Sequence, residues 1–390
     1  MSGNRAGRRK AAFAVTASLA AVVILAAGLE LGLRVAGYKP LGVGPAAEGR
    51  NLYLQKSSDP ILGYEPRPGF RGRVFGVGLQ VNRQGFRGRE RTADPGPAFR
   101  LGVVGDSIVF AKEFEEEQTF VGLLEAKLAG AGRPVEVLNF GVEGYDSLQE
   151  IQFLERVGLP LGLDGVVLCF GLNDIGLTPM DPGYADVHVR TRFEFIRRLR
   201  LYQWVKGKLR KIALQRDLKR SLESGSGVRP AYRGLFPEVE ADDFLRERFR
   251  EIALAQQSFA ASAEDKKRAV ADKAGLLWLN QYASPYNLGK IRYAFTRLKD
   301  LSGRAGFRVL VAVVPFLYTV GGEYIDGPAH AIVRREAERL GLEVLDLLPS
   351  FRPGGLHNHT LDGVHFNAAG HGVMAEALRQ ALASWFELRP

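Results

Sequence analysis

One cysteine, Cys169, stands in 390 residues. No disulfide can form within the chain, and cysteine usage says nothing about redox compartment. Cys169 lies in the run Gly165-Val-Val-Leu-Cys-Phe170, where a small buried strand residue is expected rather than a reactive thiol. No CxxC pair or Cys/His cluster has zinc-ligand spacing; neither a metal nor an organic cofactor is expected. His357 and His359 stand two apart without a carboxylate cluster and are expected in a solvated loop. A nucleic-acid partner is not expected either. The net charge is +10, but residues 192–220 alone hold eleven Lys/Arg against two acids. Outside that segment and the N-terminal tail the chain is near neutral or slightly acidic, unlike a general nucleic-acid binder.

What is present is a chain that folds. At 46% hydrophobic and 10% aromatic residues it is too apolar for disorder and long enough for one large domain with extensions. The N-terminus carries Arg5, Arg8, Arg9 and Lys10, then an uncharged stretch of 19 residues from Ala11 to Leu29. That is near the roughly 20 residues a helix needs to cross a bilayer. Basic residues before it predict a cytoplasmic tail (1–10), a transmembrane signal anchor (11–33) and a periplasmic or extracellular body. Ala26-Ala27-Gly28 offers the rival, a cleaved signal peptide, although the apolar run exceeds the usual signal core.

Residues 34–98 read as an irregular extension punctuated by Asp59-Pro60, Pro66, Pro68-Gly69, Asn82 and Gly85, with Val77–Val81 as a short ribbon. From there short apolar strands alternate with amphipathic helices. The strands are Arg100–Val104, Val135–Leu138, Gly165–Phe170, Arg308–Val314 and Glu343–Asp346. Helices are expected around Phe120–Leu128, after a capping box Ser147-x-x-Glu150, and over 291–301, 329–340 and 370–385. The expected fold is a three-layer α/β/α sandwich with a parallel central sheet, built from 99–177 and 300–390. Residues 178–299 form a basic, mostly helical insertion. Within 192–220, Phe193, Ile196, Leu199, Tyr202, Val205 and Leu209 recur at helical spacing, a basic amphipathic helix that caps the core or meets anionic lipid or an acidic polymer.

In a parallel sheet, ligands bind beyond the carboxyl ends of the strands. Gly105-Asp106-Ser107 follows the first strand, Asn139–Gly144 the second and Gly171-Leu-Asn173-Asp174 the third. Asp362-x-x-His365 lies after the last. A serine hydroxyl needs an imidazole to take its proton, and the imidazole needs an acid to fix its tautomer. Ser107, His365 and Asp362 supply these three groups. Asp106 is expected to hold the turn behind Ser107, Asp174 to cap a helix, and Asn367 and His371 to support the loop and closing helix.

This pattern resembles the SGNH hydrolases, the GDSL-type esterase and acyl-hydrolase superfamily, over Phe99–Pro179 and about Leu301–Leu382. A GxSxG elbow is absent, so the α/β-hydrolases are not indicated. The resemblance implies a flavodoxin-like sheet and an oxyanion hole made by the Ser107 and Gly144 N–H groups with the Asn173 amide. Asn139-Phe-Gly-Val-Glu-Gly-Tyr145 and Asn82-Arg-Gln-Gly-Phe-Arg87 also look like exported, membrane-tethered members found with envelope polysaccharide. The function implied is a serine esterase acting on O-acyl, for instance O-acetyl, groups of carbohydrate or another small ester. An O-acyltransferase with the same triad and a non-catalytic polysaccharide-binding or assembly factor are the alternatives.

Overall fold

In this computed structural model the described residues are 3–37, 52–129, 134–175, 199–205, 241–261 and 279–386, apart from single positions at 60, 93, 95, 203, 280, 320 and 321. The chain divides into two units, Met1–Gly49 with Arg190–Leu218, and Arg50–Val189 with Lys219–Pro390.

The first unit holds α1 (Gly3–Val35). Its stretch Phe13–Val35, with a mean hydropathy of 2.1, is long and apolar enough to cross a membrane, and a signal sequence would have the same character. Glu30 pairs with Arg34 at 2.7 Å and accepts the Leu201 N–H at 2.8 Å. Most of the basic helix expected over 192–220 lies outside the described residues, as does most of the insertion 178–299.

The second unit is organised by five strands, of which two, β5 and β7 in the ranges that follow, are buried along their whole length. They are β5 (Phe99–Gly105), β6 (Val135–Gly141), β7 (Gly165–Gly171), β8 (Arg308–Val314) and β9 (Glu343–Asp346). All pair in parallel, in the order β6-β5-β7-β8-β9. Side chains alternate across a strand, so β7 sends Val166, Leu168 and Phe170 to one core and Val167 and Cys169 to the other. Cys169 is buried, as expected of a strand residue.

One core is closed by α3 (Phe120–Leu128), α9 (Ala368–Ala381) and α10 (Ala383–Phe386). The other is closed by α4 (Ser147–Phe153), α6 (Pro285–Ala305) and α7 (Gly327–Glu338), with α5 (Asp243–Ala261) beside α7. Short helices α2 (Ser107–Phe110) and α8 (Leu348–Phe351) complete the elements. The sheet is therefore covered on both faces, the three-layer arrangement its sequence predicts.

Two details depart from the sequence reading. The box at the start of α4 is set one residue earlier, with Asp146 accepting from Leu148 and Gln149, and the Gln149 side chain reaching back to the Asp146 N–H. Glu150 is thereby released from capping and is fully buried. The extension is also less separate than expected. It forms two antiparallel ribbons, β1 (Leu54–Lys56) with β2 (Tyr64–Pro66), and β3 (Arg71–Val74) with β4 (Val77–Gln80). Tyr53, Leu62, Tyr64, Leu79, Val81 and Phe86 join the same core as α4 and α6.

Candidate active site

The strand order reverses direction around β5, and the loops leaving β5, β6 and β7 open at that switch point, where open α/β sheets bind ligands. Ser107 begins α2 directly after β5. Asp106 caps that helix, its Oδ1 accepting the Ile108 N–H at 2.9 Å. Its Oδ2 accepts the Asn173 side-chain amide at 2.7 Å and the Ser107 hydroxyl at 3.3 Å. Asp106 thus holds the turn behind Ser107 and also ties Asn173 to it across two strands.

Close packing fixes the remaining strand-end loop. A Cβ at Gly141 would overlap the Phe110 amide, so glycine lets α2 lie against the end of β6. Gly144 has φ 75°, a left-handed conformation that glycine adopts without a steric penalty. The preceding Glu143 is clamped from two sides: Tyr64 and Tyr53 of the extension bond its carbonyl, at 2.7 Å, and its carboxylate, and Lys112, just after α2, bonds the carboxylate as well. From the same extension the buried Arg87 guanidinium donates to the Phe110 and Phe114 carbonyls at the end of α2. The sequence reading noted Arg87 only as part of a resemblance and did not single out Glu143 or Tyr53. Nothing in a turn-rich extension announces which of its side chains will turn inward.

The last pair comes from the loop before α9. Asp362 Oδ1 accepts the Val364 and His365 N–H groups at 3.0 and 2.8 Å, an Asx turn that brings the two side chains together. His365 Nδ1 then lies 2.7 Å from Asp362 Oδ2, and Nε2 lies 3.0 Å from Ser107 Oγ. Thr360 braces the turn, donating to the His365 carbonyl at 2.8 Å and accepting the Gly363 N–H at 2.8 Å. Ser107, His365 and Asp362 are thus in one hydrogen-bonded row, whose Ser107–His365 bond joins residues 258 apart in sequence.

Electrostatics separate the acids of the region. At Asp362 burial pushes the carboxyl up, but the His365 ring and the two backbone N–H groups outweigh it and hold the acid at about 2. At His365 burial favours the neutral ring, yet the Asp362 bond and charge, with Glu113 and Asp106, raise it to about 9. Asp174 behaves differently. It was expected to cap a helix; instead its carboxylate closes its own turn by accepting the Gly171 N–H at 2.5 Å. Burial raises Asp174, as do the charges of Glu150 and Asp106. Glu150 is raised by burial and then by Asp106 and Asp146; it faces Asp174, and among the described residues neither of its oxygens has another partner. Two anions cannot face each other in an apolar core, so a proton between them is the physical solution.

The other sequence candidates have supporting places. Asn367 caps α9 through the Gly370 N–H at 3.0 Å. His371 accepts the Phe120 N–H at 3.1 Å among Phe114, Phe120 and Phe366, and burial lowers it to about 3. His359 contacts the Pro353 carbonyl at 3.1 Å, and no group among the described residues could hold a metal ion. A second, serine-free pair joins His330 Nδ1 to Asp346 at 2.9 Å, with Tyr324 on Nε2 at 2.7 Å. With His330 buried, the pair ties α7 to β9.

Residues 103–290 match the model of the GDSL-like Lipase/Acylhydrolase family. Among curated proteins no match was found. Similar solved structures include an acetyl xylan esterase, AlAXEase, at 16% identity, covering 73% of this chain and 100% of that one with a TM-score of 0.38. The psychrotrophic esterase EstA from Pseudoalteromonas sp. is similar at 11% identity, 74% and 99% coverage and a TM-score of 0.39. A lipase/acylhydrolase from Enterococcus faecalis is similar at 14% identity, 75% and 99% coverage and a TM-score of 0.37. The loops after β5, β6 and β7 all lie inside the matched region, which is similar to GDSL-like lipases and acylhydrolases.

Proposed function

We propose that the protein is an extracytoplasmic esterase that removes O-acyl groups, acetyl among them, from carbohydrate, with Ser107 as nucleophile. The reading rests on one observation, the 3.0 Å approach of His365 Nε2 to Ser107 Oγ with Asp362 2.7 Å behind the ring. Ser107 Oγ attacks the ester carbonyl as His365 takes its proton, and the tetrahedral oxyanion meets the Ser107 and Gly144 N–H groups and the Asn173 amide. The carbon–oxygen bond to the alcohol breaks, and His365 returns the proton to that alcohol. Water, deprotonated by the same ring, then attacks the acyl-serine and releases the acid.

The carbohydrate substrate is supported by the likeness of Asn139–Tyr145 and Asn82–Arg87 to exported, envelope-associated members. The site also has an open side: the Asp362 and His365 side chains are 53% and 29% exposed, so an ester on a bulky polymer can approach. Export is supported by the basic tail ahead of the apolar Phe13–Val35 helix.

One experiment tests both parts. Intact cells carrying the full chain are given a membrane-impermeant acetylated oligosaccharide. Acetate release by wild type and not by Ser107→Ala is expected. Equal release by both would remove Ser107 from the mechanism, and release only after lysis would remove the proposed location. If acetyl groups moved to an added sugar and no acetate appeared, a transferase using the same row would replace the esterase.

A further inference from the structure

Asp326 stands where an aspartate ordinarily caps a helix, and it does something else. It precedes α7, and its carbonyl accepts the Ala329 and His330 N–H groups at 2.9 and 3.3 Å. Its side chain makes no capping bond, although a carboxylate at that position normally stabilises the helix. The residue is instead 1% exposed. Burial raises its carboxyl to about 7, and the bond that draws it back down comes from the Tyr318 side chain. A buried acid that gives up its cap weakens the fold, so its inward turn calls for an account beyond stability.

Tyr318 lies just past β8, beside the turn that carries Asp362 and His365. Leu317 donates its N–H to the Gly363 carbonyl at 2.7 Å. A Cβ on Gly363 would stand 3.7 and 3.8 Å from Cδ1 and Cβ of Tyr318, so the tyrosine packs directly against this glycine. The Tyr318 ring also stacks on the buried Phe316, with centroids 5.8 Å apart and planes at 29°. Stack, hydroxyl bond and turn contact together fix the ring.

The turn needs an outside support. Its own bonds close the Asp362–His365 geometry, but they do not decide where the turn stands relative to Ser107. Ser107 follows β5, whereas the turn leans on the end of β8, with β7 between them in the sheet. On the outer side Leu361 and the Asp362 side chain are half exposed and solvent offers little restraint. On the inner side Val364 packs on both cores, and Gly363 rests on Leu317 and Tyr318.

We propose that Tyr318, locked by Asp326, is a positioning residue that holds the Asp362–His365 turn within bonding distance of Ser107. The proposal rests on the esterase reading and deepens it. A reacting group displaced by about 1 Å loses on the order of 10²-fold in rate, so a support behind Gly363 acts on turnover without touching substrate.

The test uses the full chain in detergent, with p-nitrophenyl acetate as substrate and a fluorophosphonate to count reactive serines. Tyr318→Ala should lower kcat per reactive serine by about 30- to 100-fold, with KM changed by less than about two-fold. The midpoint of kcat/KM against pH should stay at about 9, because Asp362 still faces the ring. Tyr318→Phe combined with Asp326→Leu removes both polar groups and keeps their bulk. At about pH 8, above the raised value of Asp326, the Tm of this double variant should equal or exceed that of wild type. Its kcat should nevertheless fall by about three- to ten-fold, a split that separates placement from stability. Both variants within about two-fold of wild type per reactive serine overturn the proposal, as does a loss confined to the number of reactive serines. A midpoint drawn toward about 6.5 by Tyr318→Ala also overturns it, since the tyrosine would then act on the Asp362–His365 bond itself. If Tyr318→Ala fails to fold, the double variant decides alone. Wild type inert to both reagents would instead remove the esterase reading, and the placement with it.

Discussion

Asp362, bonded to His365, and Asp174, buried near Asp106, are two acids of the strand-end region, and the protein drives them in opposite directions. Asp362 is half exposed, receives two backbone N–H groups and the His365 ring, and is held at about 2. Asp174 is fully buried against Glu150 and shares its surroundings with Asp106 and Asp146, so its carboxyl is pushed up. Lys290 bonds Asp146 at 2.8 Å. One half of the site therefore keeps a charge ready to stabilise a cation, and the other half gives up a charge to stay packed. Partner and solvent, more than residue type, decide which of these a carboxyl does.

The comparison is broken most severely at the charged half. Asp362→Asn should lower kcat by about 10⁴-fold, the scale seen when an orienting acid is lost. It should also move the pH profile. In wild type His365 must be neutral to act as a base, so kcat/KM should rise with pH up to a midpoint of about 9. Without the Asp362 charge that midpoint should fall toward the ordinary histidine value, about 6.5. A midpoint that stays put would mean the aspartate does not control the ring.

A smaller effect is expected where the two halves meet. Asn173→Ala removes an amide bonded to Asp106 and a proposed oxyanion donor, and should cost about 10²–10³ in kcat with little change in KM. Steady-state kinetics on p-nitrophenyl acetate would measure it, and a loss carried by KM alone would remove Asn173 from the oxyanion hole.

The smallest effect, and the sharpest on the buried half, concerns Glu150. An acid whose folded value lies above its unfolded value, about 4.3, contributes stability that is full below that value and is lost as pH rises toward the folded one. Glu150→Gln keeps the neutral shape and cannot ionise. Its Tm should match wild type near pH 4 and exceed it increasingly at alkaline pH, with activity largely retained. A protonated-carboxyl band in the infrared spectrum at neutral pH should weaken in the same variant. Parallel Tm curves with an unchanged band would mean Glu150 is ionised in the fold.

Much of this was legible before any coordinates. The strand runs, the helices between them and the polar residues at the strand ends follow from periodicity and turn chemistry, because a strand buried on both faces must be continuously apolar. Asp362 and His365 were legible as a pair since three residues of chain can close an Asx turn. The capping box slipped by one residue because Asp146 and Ser147 are both good caps, and only packing shows that Glu150 is needed inside. Asp174 was read as a cap for a related reason: aspartate after a strand most often caps a helix, and its short turn with Gly171 leaves no sequence signature.

By itself the sequence determined the parallel sheet, the apolar N-terminal helix and the residue types at the rim, since these depend on local pattern and on the length of apolar runs. Tertiary structure alone decided that Ser107 and His365 lie 3.0 Å apart, that Tyr53, Tyr64 and Arg87 reach in from the extension to hold the surroundings of Ser107, and that Glu150 faces Asp174. The reason is physical. A hydrogen bond across 258 residues and the pKa of a buried acid depend on what the rest of the chain brings close, and no window of local sequence contains that information.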